Sequence, residues 1–155
     1  MKNQPKIVQS ILEKAESSGR CFLLEPEVYR LLGAYGLAVP RHIFWPKGKP
    51  LAASSLKKLG TDRVVVKIVS PLILHKSDVG GVAIVRASLR EVKATVNKMY
   101  AEIPARYSQV FGQGRVSAAE VADSIQGVLV AELVSYQQAG LGSELLLGLR
   151  VSRDF

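Results

Sequence analysis

Residues 64–85 read VVVKIVSPLILHKSDVGGVAIV, two apolar runs separated by a loop that carries His75, Lys76, Ser77, Asp78, Gly80 and Gly81. Strand alternation puts Val64, Val66 and Ile68 on one face and Val65, Lys67 and Val69 on the other, so Lys67 projects from a segment that otherwise favours burial. An unpaired ammonium there would cost on the order of several kcal/mol, and a phosphate is a natural partner where a glycine-containing loop lies close. His75 supplies a nucleophile: a largely neutral imidazole can attack phosphorus through one nitrogen while the other is held by a hydrogen bond. Gly80 and Gly81 suit either a hairpin turn or a close approach of backbone N–H groups to phosphate oxygens. Lys76 would add charge, and Ser77 and Asp78 would orient the loop. Lys67 also fits an edge-strand lysine that reaches solvent and discourages strand pairing, and His75 an ordinary exposed histidine.

The elements that must hold this loop are read from periodicity. Ile7, Val8, Ile11, Leu12 and Ala15 predict an amphipathic helix over 6–18, stopped by Gly19. The segment EPEVYRLLGAYG predicts a second helix. Pro26 suits its first turn, Glu25 and Glu27 the positive end of its dipole and Gly36 its left-handed exit, with Val28, Leu31, Leu32 and Tyr35 as the buried stripe. A strand over 41–44, a turn over 45–50 and a short helix over 52–59 follow. Ser88 with Glu91 forms a capping box that opens a helix with Val92, Val96 and Met99 on one face. That helix is expected to end near Pro104, leaving a loop over 105–114. Ser117 with Glu120 repeats the box for a short helix to Ile125. Residues 127–134 and 144–151 are buried strands by composition.

Bulk properties narrow the function classes. A chain of 155 residues suffices for one ordinary core, or for one domain and part of another. No apolar run approaches the roughly 20 residues of a membrane span, and MKNQPKIVQS lacks the apolar core of a signal peptide, so a cytoplasmic protein is expected. Cys21 is the only cysteine and there are two histidines, which excludes an internal disulfide and leaves no zinc-like cluster. The net charge of +8 favours anionic ligands, but the basic residues are scattered without interleaved aromatic platforms. Polyphosphates or an acidic partner fit that pattern as well as nucleic acid does. Neither a P-loop nor a G-x-G-x-x-G fingerprint is present, and the S-x-x-K spacing of Ser54 and Lys57 lacks its companion motifs.

The run K-I-V-S-P-x-I-L-H-K-S-D-V-G-G-V resembles the signature of the ATP-grasp subunit of ADP-forming acetate and acyl-CoA ligases, a family related to the nucleotide-binding subunit of succinyl-CoA ligase. The earlier segment E-x-E-V-Y-R-L-L-x-x-Y-G-L-A-V-P is similar to the opening of the same subunits, with Ala38 where that pattern often has proline.

The resemblance implies an α/β fold: a leading helical region with one short strand over 1–60, an ATP-grasp lid subdomain over 61–131, and the hinge and first strand of a second subdomain over 132–155, truncated before the second ATP-grasp half. It implies that Lys67, Gly80 and Gly81 contact nucleotide phosphates. His75 would relay a phosphoryl group between the CoA-binding part and ADP. Glu132, Leu133 and Val134 would meet the adenine at the hinge, and Glu144 the ribose hydroxyls. ATP or ADP is the implied ligand, with Mg2+ held by carboxylates expected beyond Phe155. The implied partner is the CoA-binding domain or subunit of an acid–CoA ligase that handles a small acyl group; neither membrane nor nucleic acid is expected. The rival readings are a succinyl-CoA ligase-like or other ATP-grasp carboxylate ligase, and a small basic module for nucleic acid or an acidic partner.

Overall fold

The computed structural model describes residues 4–112 and 114–134. Its centre is a four-stranded antiparallel sheet of order β1-β4-β2-β3, built from β1 (His42–Pro46), β2 (Arg63–Val69), β3 (Val82–Arg86) and β4 (Gly127–Glu132). β4 lies between β1 and β2, and its first five residues are all buried, as its unbroken apolar run requires. β1 pairs along its whole length with β4, so the sheet extends across the boundary expected near residue 60. Gly127 has φ 154°, and a side chain there would fall on the Trp45 carbonyl, so only glycine lets β4 start this close to β1.

Alternation along β2 divides the molecule into two faces. Val64, Val66 and Ile68 enter the main core together with Val128 and Val130 of β4 and with helices α3 (Ala53–Lys57), α4 (Leu89–Val110) and α5 (Ala118–Ser124). Val69 and Leu129 face the other way and pack with Leu24, Phe22 and Tyr29 around the start of α2 (Glu25–Ala34). The opening helix α1 (Gln4–Ser17) packs on α2, with Ile11 and Ala15 buried. Phe44 and Ile84 on this second face remain exposed.

Two expectations are corrected. The stripe of α2 is only partly buried and Tyr35 is 57% exposed, because α2 lies on the rim of the smaller cluster and not over the main core. More consequentially, α4 does not stop at Pro104 but runs on to Val110, so most of the expected loop over 105–114 is helical. Pro104 removes one backbone donor, yet Ile103 and Pro104 are buried and the core-facing spacing Val96, Met99, Ile103 continues to Tyr107. Beyond the proline the helix is tied to its surroundings by Arg106, Tyr107 and Ser108, each donating to a carbonyl outside the helix. Ser117 and Glu120 close the expected capping box on α5, whereas at α4 Ser88 caps the Glu91 N–H but the Glu91 carboxylate accepts from the Arg86 N–H, so the expected box is only half formed.

Candidate functional site

The loop between β2 and β3 is held at both ends. Buried Ser70 accepts hydrogen bonds through Oγ from the N–H groups of Leu72 (3.1 Å) and Ile73 (3.4 Å), and its hydroxyl pairs with that of Ser124 at 2.7 Å. Ile73 and Val79 anchor in the main core, whereas Leu74 and His75 face outward. A 3-10 turn over Ser77–Val79 follows, and Gly80 leaves it at φ 74°. Both glycine N–H groups are engaged within the loop, Gly80 to Ser77 O at 3.1 Å and Gly81 to Lys76 O at 2.6 Å. A side chain on Gly81 would collide with Ile68 and the Lys76 carbonyl. In this conformation the glycine pair closes the turn and lets it approach β2.

Lys67 projects from the face opposite α4, in the same cross-strand row as Phe44, Leu129 and Val82. Its ammonium donates to Glu25 Oε1 at 2.5 Å, and Lys76, adjacent to His75, donates to Glu25 Oε2 at 3.1 Å. Tyr29 Oη adds a third bond to Oε1 at 3.2 Å. The three charged side chains are 20–27% exposed, so water reaches the cluster without dissolving it. Burial alone would push the Glu25 carboxyl up, but the Lys67 bond and the charges of both lysines outweigh it and hold the group below its usual range. Burial would likewise lower the Lys67 ammonium, and the Glu25 bond and charge reverse that into a raised value. The Tyr29 phenol is pushed up, chiefly by burial.

The lysine is legible in the sequence, but its partner is not. Glu25 lies 42 residues away, at the first position of α2, where an acidic side chain is already explained by the helix dipole. The only usable signal is the demand for a counter-charge, and thirteen acidic residues could meet it.

His75 stands apart from this cluster on the α4 side of the loop. Its ring stacks on Phe111, just past the end of α4, at 5.8 Å between centroids and 25° between planes. Among the described residues no hydrogen bond to either ring nitrogen accompanies the stacking. Lys67 and His75 are therefore linked through Lys76 and Glu25 and do not touch.

At the other end of β2, the Glu132 carboxylate accepts from the backbone N–H and the Nε of Arg41, both at 2.7 Å. These bonds hold its carboxyl below the usual range. The N–H groups of Glu132 and Leu133 go to Arg41 O and Arg63 O. Val134 is exposed, and Glu144 lies outside the described residues, as do residues 144–151 expected as a strand. Lys67 pairs with Leu129 and Val64 with Glu132, which separates the lysine from the expected adenine segment by three residues of strand, about 10 Å.

These features define an α/β unit with helices against both faces of an antiparallel sheet and a glycine-closed basic loop at one end. The chain belongs to the ATP-grasp domain family, whose profile matches residues 14–155. It is 33% identical over 147 residues to the ADP-forming 4-hydroxybutyrate–CoA ligase of Nitrosopumilus maritimus, covering 95% of this chain and 18% of that protein. The beta subunit of ADP-forming acetate–CoA ligase I from Pyrococcus furiosus is 42% identical over 76 residues, covering 49% of this chain and 32% of that subunit.

Two solved structures from Ca. Korarchaeum cryptofilum share the fold. One, a complex with coenzyme A, superposes with TM-score 0.61 at 28% identity over 83% of this chain. The other is a dinucleotide-forming acetyl-coenzyme A synthetase in complex with coenzyme A, Ca-AMPCP and HgCl+, with TM-score 0.59 at 32% identity over 82% of this chain. The chain spans 49% of each of these solved chains and 18–32% of the two curated relatives. Among the described residues no helix is long and apolar enough to cross a membrane.

Proposed function

We propose that this chain forms the nucleotide-handling part of an ADP-forming acid–CoA ligase, in which His75 carries a phosphoryl group between ATP or ADP and the CoA-binding domain or subunit. The observation that carries this reading is the ionic link Lys67–Glu25–Lys76. It couples a lysine on the open face of the sheet to the residue beside a nucleophilic imidazole. The names of the relatives, ligases of acetate and 4-hydroxybutyrate, favour a small acid as substrate.

In the ATP-consuming direction the lone pair of a His75 ring nitrogen attacks the γ-phosphorus. The N–P bond forms as the bond from phosphorus to the β–γ bridging oxygen breaks, and ADP leaves with the electron pair. Reversal returns the group to ADP. Lys76, next to His75, balances charge on the transferring phosphoryl group, and Lys67, on the other side of the loop, balances charge on the remaining phosphates of the nucleotide, while Glu25 holds the two ammoniums in place between turnovers. Gly80 and Gly81 keep the loop close to β2. The segment of Glu132, Leu133 and Val134 remains the proposed adenine edge, with Glu144 at the ribose.

When bound, Mg2+ would neutralise phosphate charge. Among the described residues no three His, Cys, Asp or Glu converge, and Glu25 is committed to two lysines, so its ligands would come from elsewhere in the enzyme.

The test is phosphate transfer from γ-labelled ATP in the complete enzyme. Wild type should acquire acid-labile, base-stable phosphate that maps to the peptide containing His75. His75→Asn should lose the label and retain nucleotide binding. Label that survives in His75→Asn would overturn the relay; nucleotide binding with no label in either protein would favour a carboxylate ligase without one.

A further inference from the structure

The last two turns of α4 and the residue that follows them grip the His75 loop at three separate points. Tyr107 Oη donates to Leu72 O at 2.6 Å, before the histidine. Arg106 Nη1 donates to Val79 O at 3.1 Å, after it. Between them Phe111 stacks on the imidazole itself, and Tyr107 backs Phe111 at 5.3 Å between ring centroids.

None of these contacts is needed to terminate or solubilise a helix. Phe111 is 36% exposed, so most of its ring is covered, and the rings it packs against are those of His75 and Tyr107. Pro104 gives the chain an opportunity to leave the helix, yet the helix continues for six more residues to reach this loop.

The manner of the grip is chemically specific. A histidine that must carry a group on nitrogen is usually oriented by a hydrogen bond to its other nitrogen. Stacking instead holds the ring by its face. That fixes the plane of the imidazole while leaving both nitrogens at the rim, and a planar aromatic partner tolerates the ring whether neutral, protonated or carrying a phosphoryl group.

We propose that Phe111, supported by Tyr107 and Arg106, is the positioning residue for His75, setting the plane in which its nitrogen meets phosphorus. This rests on the phosphate-relay reading of His75, but the contact and the relay can be tested apart.

The contact is read by NMR on the 155-residue chain, which has two histidines, His75 and His42. Cross-relaxation between the His75 and Phe111 ring protons is expected in the unmodified chain. Phe111→Leu should shift the His75 ring protons by removal of the ring current. The His42 signals, which sense Tyr29 at 4.8 Å, should stay in place.

The consequence is read in the complete enzyme. Phe111→Leu should slow labelling of His75 by about 10- to 100-fold, the scale of a misoriented reacting group, with the KM for nucleotide within twofold of wild type. Phe111→Tyr, which keeps the planar ring, should restore most of the rate. Absence of the cross-relaxation, or His75 signals that do not respond to Phe111→Leu, overturns the inference whatever the labelling result. Slowing that appears only as a raised KM, or that Phe111→Tyr fails to relieve, overturns it as well. A wild-type enzyme that never labels His75, with the NMR contact intact, overturns the relay and not the stacking.

Discussion

Replacing Glu25 by Gln changes little in shape and removes the carboxylate that pairs with both Lys67 and Lys76. Opposite charges about 4 Å apart attract by roughly 1 kcal/mol in bulk water and roughly 4 kcal/mol at the effective dielectric of a protein surface. Exposed pairs are worth about 0–1 kcal/mol net, and breaking a buried pair costs about 3–5 kcal/mol. With side chains 20–27% exposed, this cluster falls between those limits, so Glu25→Gln should cost about 1–2 kcal/mol. For a domain of this size that lowers Tm by roughly 3–6 °C.

Two uncompensated ammoniums form a stronger anion site than two paired ones, so ATP or tripolyphosphate should raise the Tm of Glu25→Gln more than that of wild type and close most of the gap. Differential scanning fluorimetry at low ionic strength, with and without the polyanion, measures both effects. The difference between the proteins should also depend on pH with a definite sign. The Glu25 carboxyl is depressed in the folded protein, so its contribution is complete above the unfolded value of about 4.3 and is lost as pH falls through the folded one. Lys67 is raised, so its contribution is complete below about 10.4 and is lost as pH climbs through its folded value. The gap should be widest between those limits. A Glu25→Gln protein as stable as wild type at pH 7, or a deficit that saturating tripolyphosphate leaves unchanged, would refute the view that Glu25 occupies an anion's place between the lysines.

Lys67→Met should weaken nucleotide binding by roughly 10- to 100-fold, the equivalent of one charge-assisted hydrogen bond, as measured by calorimetry in the complete enzyme. Its stability should fall by less than about 2 kcal/mol, since Lys76 still compensates Glu25; equal nucleotide affinity would remove Lys67 from the site. Gly127→Ala should cost at least about 2 kcal/mol in urea unfolding, because the added methyl meets the Trp45 carbonyl where β1 and β4 pair. A neutral result there would mean that β1 is not held in this register.

The reach of sequence reading differs from element to element. The division of β2 into a core face and a lysine face was legible because side chains on a strand alternate whatever the fold, and the two serine caps because a serine at the N-cap accepts from an N–H only three residues on. The resemblance in residues 67–82 supplied the family, which the profile match bears out. Beyond these, the reading failed where distant segments decide. Pro104 signals a stop by every local rule, yet the helix passes through it because Ile103 and Pro104 are buried and Arg106, Tyr107 and Ser108 find acceptors on other segments.

The site divides along the same line. From the order of its residues the chain determines that an ammonium, an imidazole and a glycine pair lie on one strand–loop–strand unit. Folding alone decides that Lys67 turns to Glu25 and His75 to Phe111, on opposite sides of that unit. Neither partner carries a local signature, since Glu25 reads as an ordinary first-turn acid and Phe111 as part of a loop. Charge pairing and ring stacking depend on distances across space, and those are set only when the sheet has closed and α4 has packed against it.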